Sequence, residues 1–205
     1  MDILKKSISV VTCLMVLNAY SQSFEDTQKA FKASYTNEYN SNYKNALADL
    51  QKVYRADSYE INLRLGWLCY LNKDYNKSME YYQKAIDLRK YSTEARFGFI
   101  KPANESKQYT KAYEKYEEIL KIDPYNSVAN YWVGVGYYNA KKYDIAAKYF
   151  ELVVNMNPFD YDSNYMLGWT YLNLGKTAEA RSLFQLALLY KPDDAAAKDG
   201  LSKCK

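Results

Sequence analysis

The sequence contains no histidine, and this absence removes several kinds of chemistry at once. Without an imidazole there is no Ser-His or Cys-His nucleophile pair and no histidine ligand for a metal ion. No Gly-x-x-x-x-Gly-Lys-Ser/Thr loop occurs, and Gly134-x-Gly136 lacks the third glycine of a dinucleotide-binding turn. The sequence therefore predicts a protein that is not an enzyme and that has no cofactor and no metal site.

Cysteine, glycine and proline are also scarce, at three, seven and four of the 205 residues. So few turn-forming residues argue against an all-β fold. Cys69 and Cys204 lie far apart in the chain, and no Cys-x-x-Cys pair occurs. We therefore expect no internal disulfide. Cys69 should be a buried small apolar residue, whereas Cys204 could cross-link two chains.

Tyrosine, by contrast, is abundant, with 24 residues in a chain that is 48% hydrophobic and 25% charged. These values are typical of a folded chain and too apolar for a disordered one. Tyrosine combines a large apolar area with a hydroxyl group that tolerates water, so it suits half-buried surfaces and recognition faces.

The segment 1–21 has the pattern of an export signal. Lys5 and Lys6 precede an apolar run at residues 8–17, and Ala19-Tyr20-Ser21 is a small-x-small cleavage site. The run is shorter than the roughly 20 apolar residues that span a bilayer. We therefore expect an exported protein of the bacterial cell envelope, either periplasmic or extracellular. After cleavage it should have no stable membrane span.

Two alternatives to cleavage remain open. The apolar run could be retained as an anchor, and Cys13 after Thr12 faintly resembles a lipidation site. Cleavage after Ser21 would leave 26 basic and 23 acidic residues, a net charge of +3. That charge is too small to indicate a nucleic acid as the partner.

The rest of the sequence repeats with a period of 34, which is the spacing between Gly134 and Gly168. Gly66 lies 68 residues, or two periods, before Gly134. Four further columns share the period: Tyr75, Tyr109 and Tyr143; Ser78, Ala112, Ala146 and Ala180; Tyr82, Tyr116, Phe150 and Phe184; and Pro124, Pro158 and Pro192. A fixed period of this length is typical of stacked helical repeats.

Each period is predicted to form two helices. In the last one, Gly168 lies on the inward face of the first helix, and Gly175 interrupts that helix. Ala180 and Phe184 mark the inward face of the second helix, which Pro192 ends. Small residues at Gly168 and Ala180 should let the two helices approach closely, and Phe184 should fill the space between this unit and its neighbour.

This pattern resembles the tetratricopeptide repeat, whose signature has a Leu-Gly pair, a following Tyr, then Ala, an aromatic residue, Ala and a closing Pro. The resemblance implies an all-α fold, a right-handed superhelical solenoid of stacked antiparallel helix pairs. The predicted divisions are a signal peptide at 1–21, a degenerate repeat at 22–58, four repeats at 59–92, 93–126, 127–160 and 161–194, and a short capping helix at 195–205. The first spacing is 32, from Tyr43 to Tyr75, which indicates a tighter connection or an irregular first helix.

Pro102 falls inside the predicted first helix of the third repeat. A proline there removes a backbone hydrogen bond and costs about 3 kcal/mol. Gly98, four residues earlier, should ease the crowding by the ring, whereas Ile100 takes the place of a glycine and should push the two helices of this repeat apart. Two interpretations stay open: a kinked, widened helix with a functional role, or a drifted repeat that its neighbours hold in place.

The resemblance also implies a concave face lined by the first helices. The residues predicted to bind a partner on that face are Trp67, Tyr70, Phe97, Lys101, Asn104, Tyr131, Val135, Tyr138, Tyr165 and Trp169. Family members that hold acidic tails present Lys, Arg and Asn there, whereas this stripe is mostly aromatic or aliphatic. It therefore favours an apolar, aromatic or proline-containing peptide. Aromatic residues at this spacing also pack between helices, and both interpretations stay open.

The leading functional prediction is a non-catalytic scaffold or adaptor that binds a peptide or protein segment in the aromatic groove. A structural subunit of a cell-envelope complex is the alternative. A carbohydrate-binding module is a third possibility, because aromatic grooves also stack against sugars. The open end of the last repeat permits a homodimer but does not require one.

Overall fold

The computed structural model describes residues 24–204, which form helices joined by short turns, with no strand in that range. The eleven helices of this range are α1 (24–39), α2 (Tyr43–Gln51), α3 (Tyr59–Leu71), α4 (Tyr75–Leu88), α5 (Thr93–Glu105), α6 (Tyr109–Ile122), α7 (Ser127–Asn139), α8 (Tyr143–Met156), α9 (Tyr161–Asn173), α10 (Thr177–Tyr190) and α11 (Ala195–Lys203). None of these helices has the length and apolar character that crossing a membrane requires. The predicted export signal lies outside the described residues.

The helices form two compact units, the first ending at Lys107 and the second beginning at Gln108. In the first unit, α2 packs on α3, α3 on α4 and α4 on α5. In the second unit, α6 packs on α7, α7 on α8, α8 on α9, α9 on α10 and α10 on α11. Each unit is therefore a series of adjacent helices that bury their apolar sides against one another, and the predicted all-α, stacked-helix architecture is confirmed.

Each first helix from α3 onward begins at a capping side chain. Ser58, Ser92, Asn126, Asp160 and Asp194 follow one another at the spacing of the repeat, and each accepts a hydrogen bond from the backbone N–H three residues later at 2.7–3.3 Å. Such a cap satisfies one of the four N–H groups that a helix leaves unpaired at its start. The period of the sequence is thus also the period of the helix starts.

A left-handed residue follows the ends of α1, α3, α5, α7 and α9 by two positions. Ser41, Lys73, Lys107 and Lys141 have φ angles of 59°, 62°, 59° and 57°, and Gly175 has 74° at the equivalent place. Only glycine adopts this conformation without steric cost. Four of the five turns are therefore made by a residue that the turn does not favour.

A buried asparagine ties the loop before a first helix to that helix. The Nδ2 groups of Asn62, Asn130 and Asn164 each donate to the backbone carbonyls six and four residues earlier, at 2.7–3.0 Å. All three side chains are at most 2% exposed. In the third repeat Arg96 takes this place, and its Nη1 donates to the Ser92 carbonyl at 2.9 Å. These residues fix the path of the chain between repeats.

Glycines and aromatic rings meet in the core of both units. A Cβ atom on Gly168 would lie 3.0 Å from the ring of Phe184, and one on Gly200 in α11 would lie 2.4 Å from it. Phe184 is completely buried. The prediction that Gly168 permits close packing and that Phe184 fills the space towards the next helix is confirmed.

Pro102 lies inside α5, as predicted, and is buried. Its carbonyl accepts hydrogen bonds from the backbone N–H and the hydroxyl of Ser106, at 3.0 and 2.7 Å, which complete the end of the helix. A Cβ atom on Gly98 would lie 2.1 Å from the ring of Tyr82, so this glycine makes room for a side chain of α4. That it also eases the crowding by the Pro102 ring stays a prediction. The kink and the widening of this repeat stay predictions.

Both predicted explanations of the first spacing are wrong. Helix α2 has nine residues, whereas α4 has fourteen, and the connection at 52–58 is longer than the one at 89–92. The chain leaves the helical path after Gln51 because Val53 and Tyr54 pack against the core that surrounds Leu50 and Leu65. The second helix is thus five residues shorter and the connection after it three residues longer, which together give the net loss of two.

The two described cysteines are free and buried. Cys69 is 3% exposed, as predicted, and burial raises the pKa of its thiol to about 12. Cys204 is 1% exposed, and its thiol lies 3.3 Å from the Gly200 carbonyl, so it can donate a hydrogen bond there. The prediction that Cys204 could cross-link two chains is wrong, because its side chain is buried in a core cluster with residues of α9, α10 and α11.

Candidate binding site

A cavity of about 740 Å³ lies between three first helices of the first unit. Helix α1 contributes Phe31 and Tyr35, α3 contributes Leu63 and Trp67, and α5 contributes Phe97. Apolar side chains therefore come from all three helices, because one face of each first helix is left uncovered by its own second helix.

Three of the five residues predicted in this unit line the cavity. Trp67 and Phe97 are half-buried in its wall, and Lys101 is exposed at its edge. Tyr70 lies outside it, with its ring centroid 5.5 Å from that of Trp67, and Asn104 is exposed near the end of α5. The structure brings the first three together and leaves the other two at a distance from the cavity.

The contribution of α1 was missed from the sequence, although a signal for it existed. The spacing of 32 that separates Tyr43 from Tyr75 also separates Phe31 from Leu63, Tyr35 from Trp67 and Glu38 from Tyr70. Carrying this spacing back into the first helix would have extended the predicted stripe by one repeat.

Arg64 is the second element that sequence reasoning missed, and it lines the cavity from α3. Its Nη1 forms an ion pair with Glu38, and its Nε donates to the Ser34 hydroxyl at 3.3 Å. Its Cζ atom lies 3.9 Å from the centre of the Tyr35 ring. Nη2 is buried and has no hydrogen-bond partner among the described residues. No column of the repeat marks this arginine, so its role was not visible in the periodicity.

Glu38 also fixes the orientation of Trp67. The indole Nε1 donates to Oε1 of Glu38 at 2.7 Å, and Lys101 Nζ lies 5.0 Å from the centre of the indole ring. A hydrogen bond to a charged acceptor is stronger than one between neutral groups. The indole is therefore held with part of its surface towards the cavity.

Charged groups at the rim are largely compensated. Tyr59 donates to Glu94 at 3.0 Å, and Arg89 pairs with Glu60 at 3.2 Å, while the Arg89 Cζ atom lies 4.9 Å from the Tyr59 ring centre. Burial raises the pKa of Tyr59, and Glu94 raises it further. A hydrogen bond from its own backbone N–H, with help from Ser58 and Arg89, lowers the pKa of Glu60. The rim thus carries about as many positive as negative charges.

The predicted residues of the second unit pack mainly against its core. Tyr131, Val135 and Tyr138 contact the cluster around Phe150. Burial raises the pKa of Tyr131 to about 12, and it raises the pKa of Tyr138 as well. Of these predicted residues, only Tyr131 lines a smaller pocket of about 250 Å³. Partner binding by this part of the stripe stays a prediction.

Tyr165 and Trp169 are half-buried beside Phe184, with ring centroids 6.4 and 5.3 Å from it. Lys203 Nζ from α11 lies 5.1 Å from the Trp169 ring centre. The indole Nε1 is buried, and it has no partner among the described residues. These two aromatics therefore help to attach α11 to the last hairpin.

Residues 24–204 contain no group of three or more His, Cys, Asp or Glu side chains that could hold a metal ion. The cavity instead offers aromatic faces, one unpartnered guanidinium nitrogen and an exposed ammonium group. These groups can bind an organic ligand or a peptide by stacking and hydrogen bonding.

Two protein-family models, both described as tetratricopeptide repeat, match residues 35–95 and 137–204. The chain therefore contains tetratricopeptide repeats, and this part of the resemblance seen in its sequence is confirmed. None of the curated proteins matches the sequence.

Several solved structures have a similar fold. A tetratricopeptide repeat protein from Parabacteroides merdae is 16% identical, with a TM-score of 0.73 over 88% of this chain and 72% of that one. MamA from Desulfovibrio magneticus is 18% identical, with a TM-score of 0.66 over 83% and 98% of the two chains. YrrB, described as a TPR protein with an unusual peptide-binding site, is 16% identical, with a TM-score of 0.70 over 91% and 97%.

Proposed function

We propose that this protein is a non-catalytic interaction scaffold that binds a peptide or protein segment in the cavity between α1, α3 and α5. The observation that carries the proposal is the aromatic lining that three successive first helices supply to one cavity. Its volume of about 740 Å³ falls within the roughly 300–1,000 Å³ typical of ligand sites. The similarity of the fold to YrrB supports this type of function.

The groups in the wall also suit a protein partner. Trp and Tyr side chains often provide most of the binding energy in protein interfaces, because they bury a large area with few rotatable bonds. Trp67 is already oriented by Glu38 and Lys101. A partner that contacts it loses little conformational freedom in the scaffold.

We further propose that the scaffold is exported and acts in the periplasm or outside the cell after removal of residues 1–21. The charged start, the short apolar run and the small-x-small site support this proposal. Mass spectrometry of the mature N-terminus after expression in the native host tests it. A chain that keeps its first methionine and remains in the cytoplasm contradicts it.

A photocrosslinking amino acid in place of Phe97 tests the binding site in cells. We expect it to capture a specific partner, and we expect Trp67→Ala to reduce the yield of the adduct. Tyr91 provides the matched control, since it lies in the same unit, is 84% exposed and does not line the cavity. Equal capture from positions 91 and 97, or capture that does not depend on Trp67, overturns the proposed site.

A second candidate function is that of a structural subunit of an envelope complex. Phe159 and Tyr190 are each 55% exposed with ring centroids 5.4 Å apart, and Leu189, which precedes Tyr190 in the chain, is 70% exposed. A cluster of exposed apolar side chains is typical of a protein interface. Size-exclusion chromatography of native extracts distinguishes the two candidates: a subunit elutes with a large particle, whereas an adaptor elutes as a small species.

A further inference from the structure

The cavity of the first unit also indicates what kind of residue it accepts. Resting on the function proposed above, we infer that it binds an uncharged aromatic residue within a peptide, with a backbone carbonyl of that peptide accepting a hydrogen bond from Nη2 of Arg64.

The unpartnered nitrogen of Arg64 is the first observation. The side chain is 9% exposed, so more than nine-tenths of it is removed from water. Nη1 and Nε bind Glu38 and Ser34, whereas Nη2 has no partner among the described residues. A buried donor that belongs to a charged group is costly to leave unpaired. An oxygen atom from a ligand would remove that cost.

Access to Nη2 depends on Tyr35. Its ring covers the guanidinium group, with 3.9 Å between the Arg64 Cζ atom and the ring centre. Tyr35 is 55% exposed, so its side chain can rotate into solvent. Rotation of the ring would give access to Nη2 at the cost of this one cation–π contact. A ligand oxygen can therefore take the place of the ring.

The charges around the cavity select a neutral acceptor. Glu38 already compensates the charge of Arg64, and Glu60 and Glu94 also line or flank the cavity. The three cations described around the cavity already balance these three carboxylates, so a ligand carboxylate at Nη2 would leave an excess of one negative charge there. A peptide carbonyl accepts the same hydrogen bond without adding charge.

The aromatic rings around the cavity disfavour a cationic side chain from the partner, because cations of this protein already lie over them. Arg64, Arg89 and Lys101 already lie over the rings of Tyr35, Tyr59 and Trp67. A lysine or arginine from a partner would meet these cations. The remaining apolar wall, formed by Phe31, Leu63 and Phe97, instead matches an uncharged aromatic ring.

Fluorine NMR of the full chain labelled with 5-fluorotryptophan tests the inference. The three tryptophans give three resonances, and of these residues only Trp67 lines the cavity. The probes are 3-methylindole, N-acetyltryptophanamide and N-acetyltryptophan. All three contain an indole ring. The first has no carbonyl group, the second has only neutral amide carbonyls, and the third has a carboxylate. Titration of each probe against the Trp67 resonance gives its dissociation constant.

We expect N-acetyltryptophanamide to bind about tenfold more tightly than 3-methylindole, which corresponds to one hydrogen bond to a charged donor. N-acetyltryptophan should bind no more tightly than the amide. In Arg64→Lys, which retains a cation for Glu38 but lacks Nη2, the preference for the amide should fall to about twofold or less. Arg96→Lys is the matched control, because Arg96 is equally buried in the same unit and does not line the cavity.

An amide preference that persists in Arg64→Lys overturns the inference, and so does tighter binding of the carboxylate. An unchanged dissociation constant of 3-methylindole in Arg64→Lys verifies that the cavity of the variant is folded. If none of the three probes shifts the Trp67 resonance, the inference fails even where crosslinking from position 97 still captures a partner. Loss of that capture is instead the failure of the proposed function, so the two outcomes are distinguishable.

Discussion

The ring of Tyr82 lies so close to Gly98 that a Cβ atom on the glycine would be 2.1 Å from Cε1 of the tyrosine. The other edge of the same ring faces Gly66, where a Cβ atom would be 2.9 Å away. Tyr82 projects from α4, whereas the two glycines lie in α3 and α5. The Tyr82 ring and the lack of a side chain at the two glycines thus determine how closely α3 and α5 approach each other.

We expect Gly98→Ala to lower the free energy of unfolding by about 1–3 kcal/mol, because the added methyl group overlaps the ring. Alanine stabilises a helix by about 1 kcal/mol relative to glycine. A net loss of stability would therefore show that the packing cost exceeds this gain. Chemical denaturation measures it. The same substitution in a Tyr82→Leu background should cost much less, and an equal loss in both backgrounds contradicts the proposed overlap.

The left-handed turns predict opposite effects for two reciprocal substitutions. Lys141→Gly should raise the free energy of unfolding by up to about 1 kcal/mol, because glycine tolerates a φ of 57°. Gly175→Lys should lower it by a similar amount. Lys148→Gly is the control, since position 148 is exposed inside α8 and glycine should destabilise the helix by about 1 kcal/mol there. A loss of stability in Lys141→Gly would show that its turn is not strained.

The buried amides are expected to be necessary for the loops between repeats. Asn130→Ala leaves the Pro124 and Asn126 carbonyls without this donor and should cost about 1–3 kcal/mol. Asn139→Ala, at an exposed position of the same helix, should change stability by less than about 0.5 kcal/mol. Thermal unfolding of the two variants provides the comparison. Similar melting temperatures would refute a structural role for the amide.

The tyrosines predict how stability depends on alkaline pH. Burial raises the pKa of Tyr131, Tyr161 and Tyr171 from 10 to about 12. The unfolded chain ionises these phenols near pH 10 whereas the folded chain keeps them neutral, so their stabilising effect is complete below pH 10 and is lost as the pH rises towards 12. Melting temperatures between pH 8 and 11.5 should fall most steeply above pH 10. Tyr131→Phe should flatten that fall, and an unchanged slope would count against the buried phenol.

The enclosed thiols should react slowly in the folded protein. We expect Cys69 and Cys204 of a Cys13→Ser variant to resist a disulfide reagent at pH 8 until denaturant is added, because the thiols are buried and burial raises the pKa of both. Absorbance of the released thiolate measures the rate. A rapid reaction of one thiol in the native protein, or a disulfide-linked dimer on a non-reducing gel, would show that Cys204 is accessible.

The sequence predicted the helices well where a residue type recurs at a fixed spacing. Glycine at 168 and an aromatic residue at 184 carry information about packing, because only a small residue leaves room for the ring. Arg64 could not be assigned in this way, since its partners Glu38 and Ser34 come from α1 and share no period with it. The shortened α2 was equally hidden, because a local departure from the helical path depends on tertiary contacts of Val53 and Tyr54.

The position of Phe184 between Gly168 and Gly200 has a consequence for motion. A phenylalanine ring can flip about its Cβ–Cγ axis only when its surroundings open briefly, and here the surroundings are the backbones of α9 and α11. The flipping rate of this ring therefore reports how often the last helix loosens from its hairpin. Broadened or separate resonances for its ring protons would detect this local opening in solution.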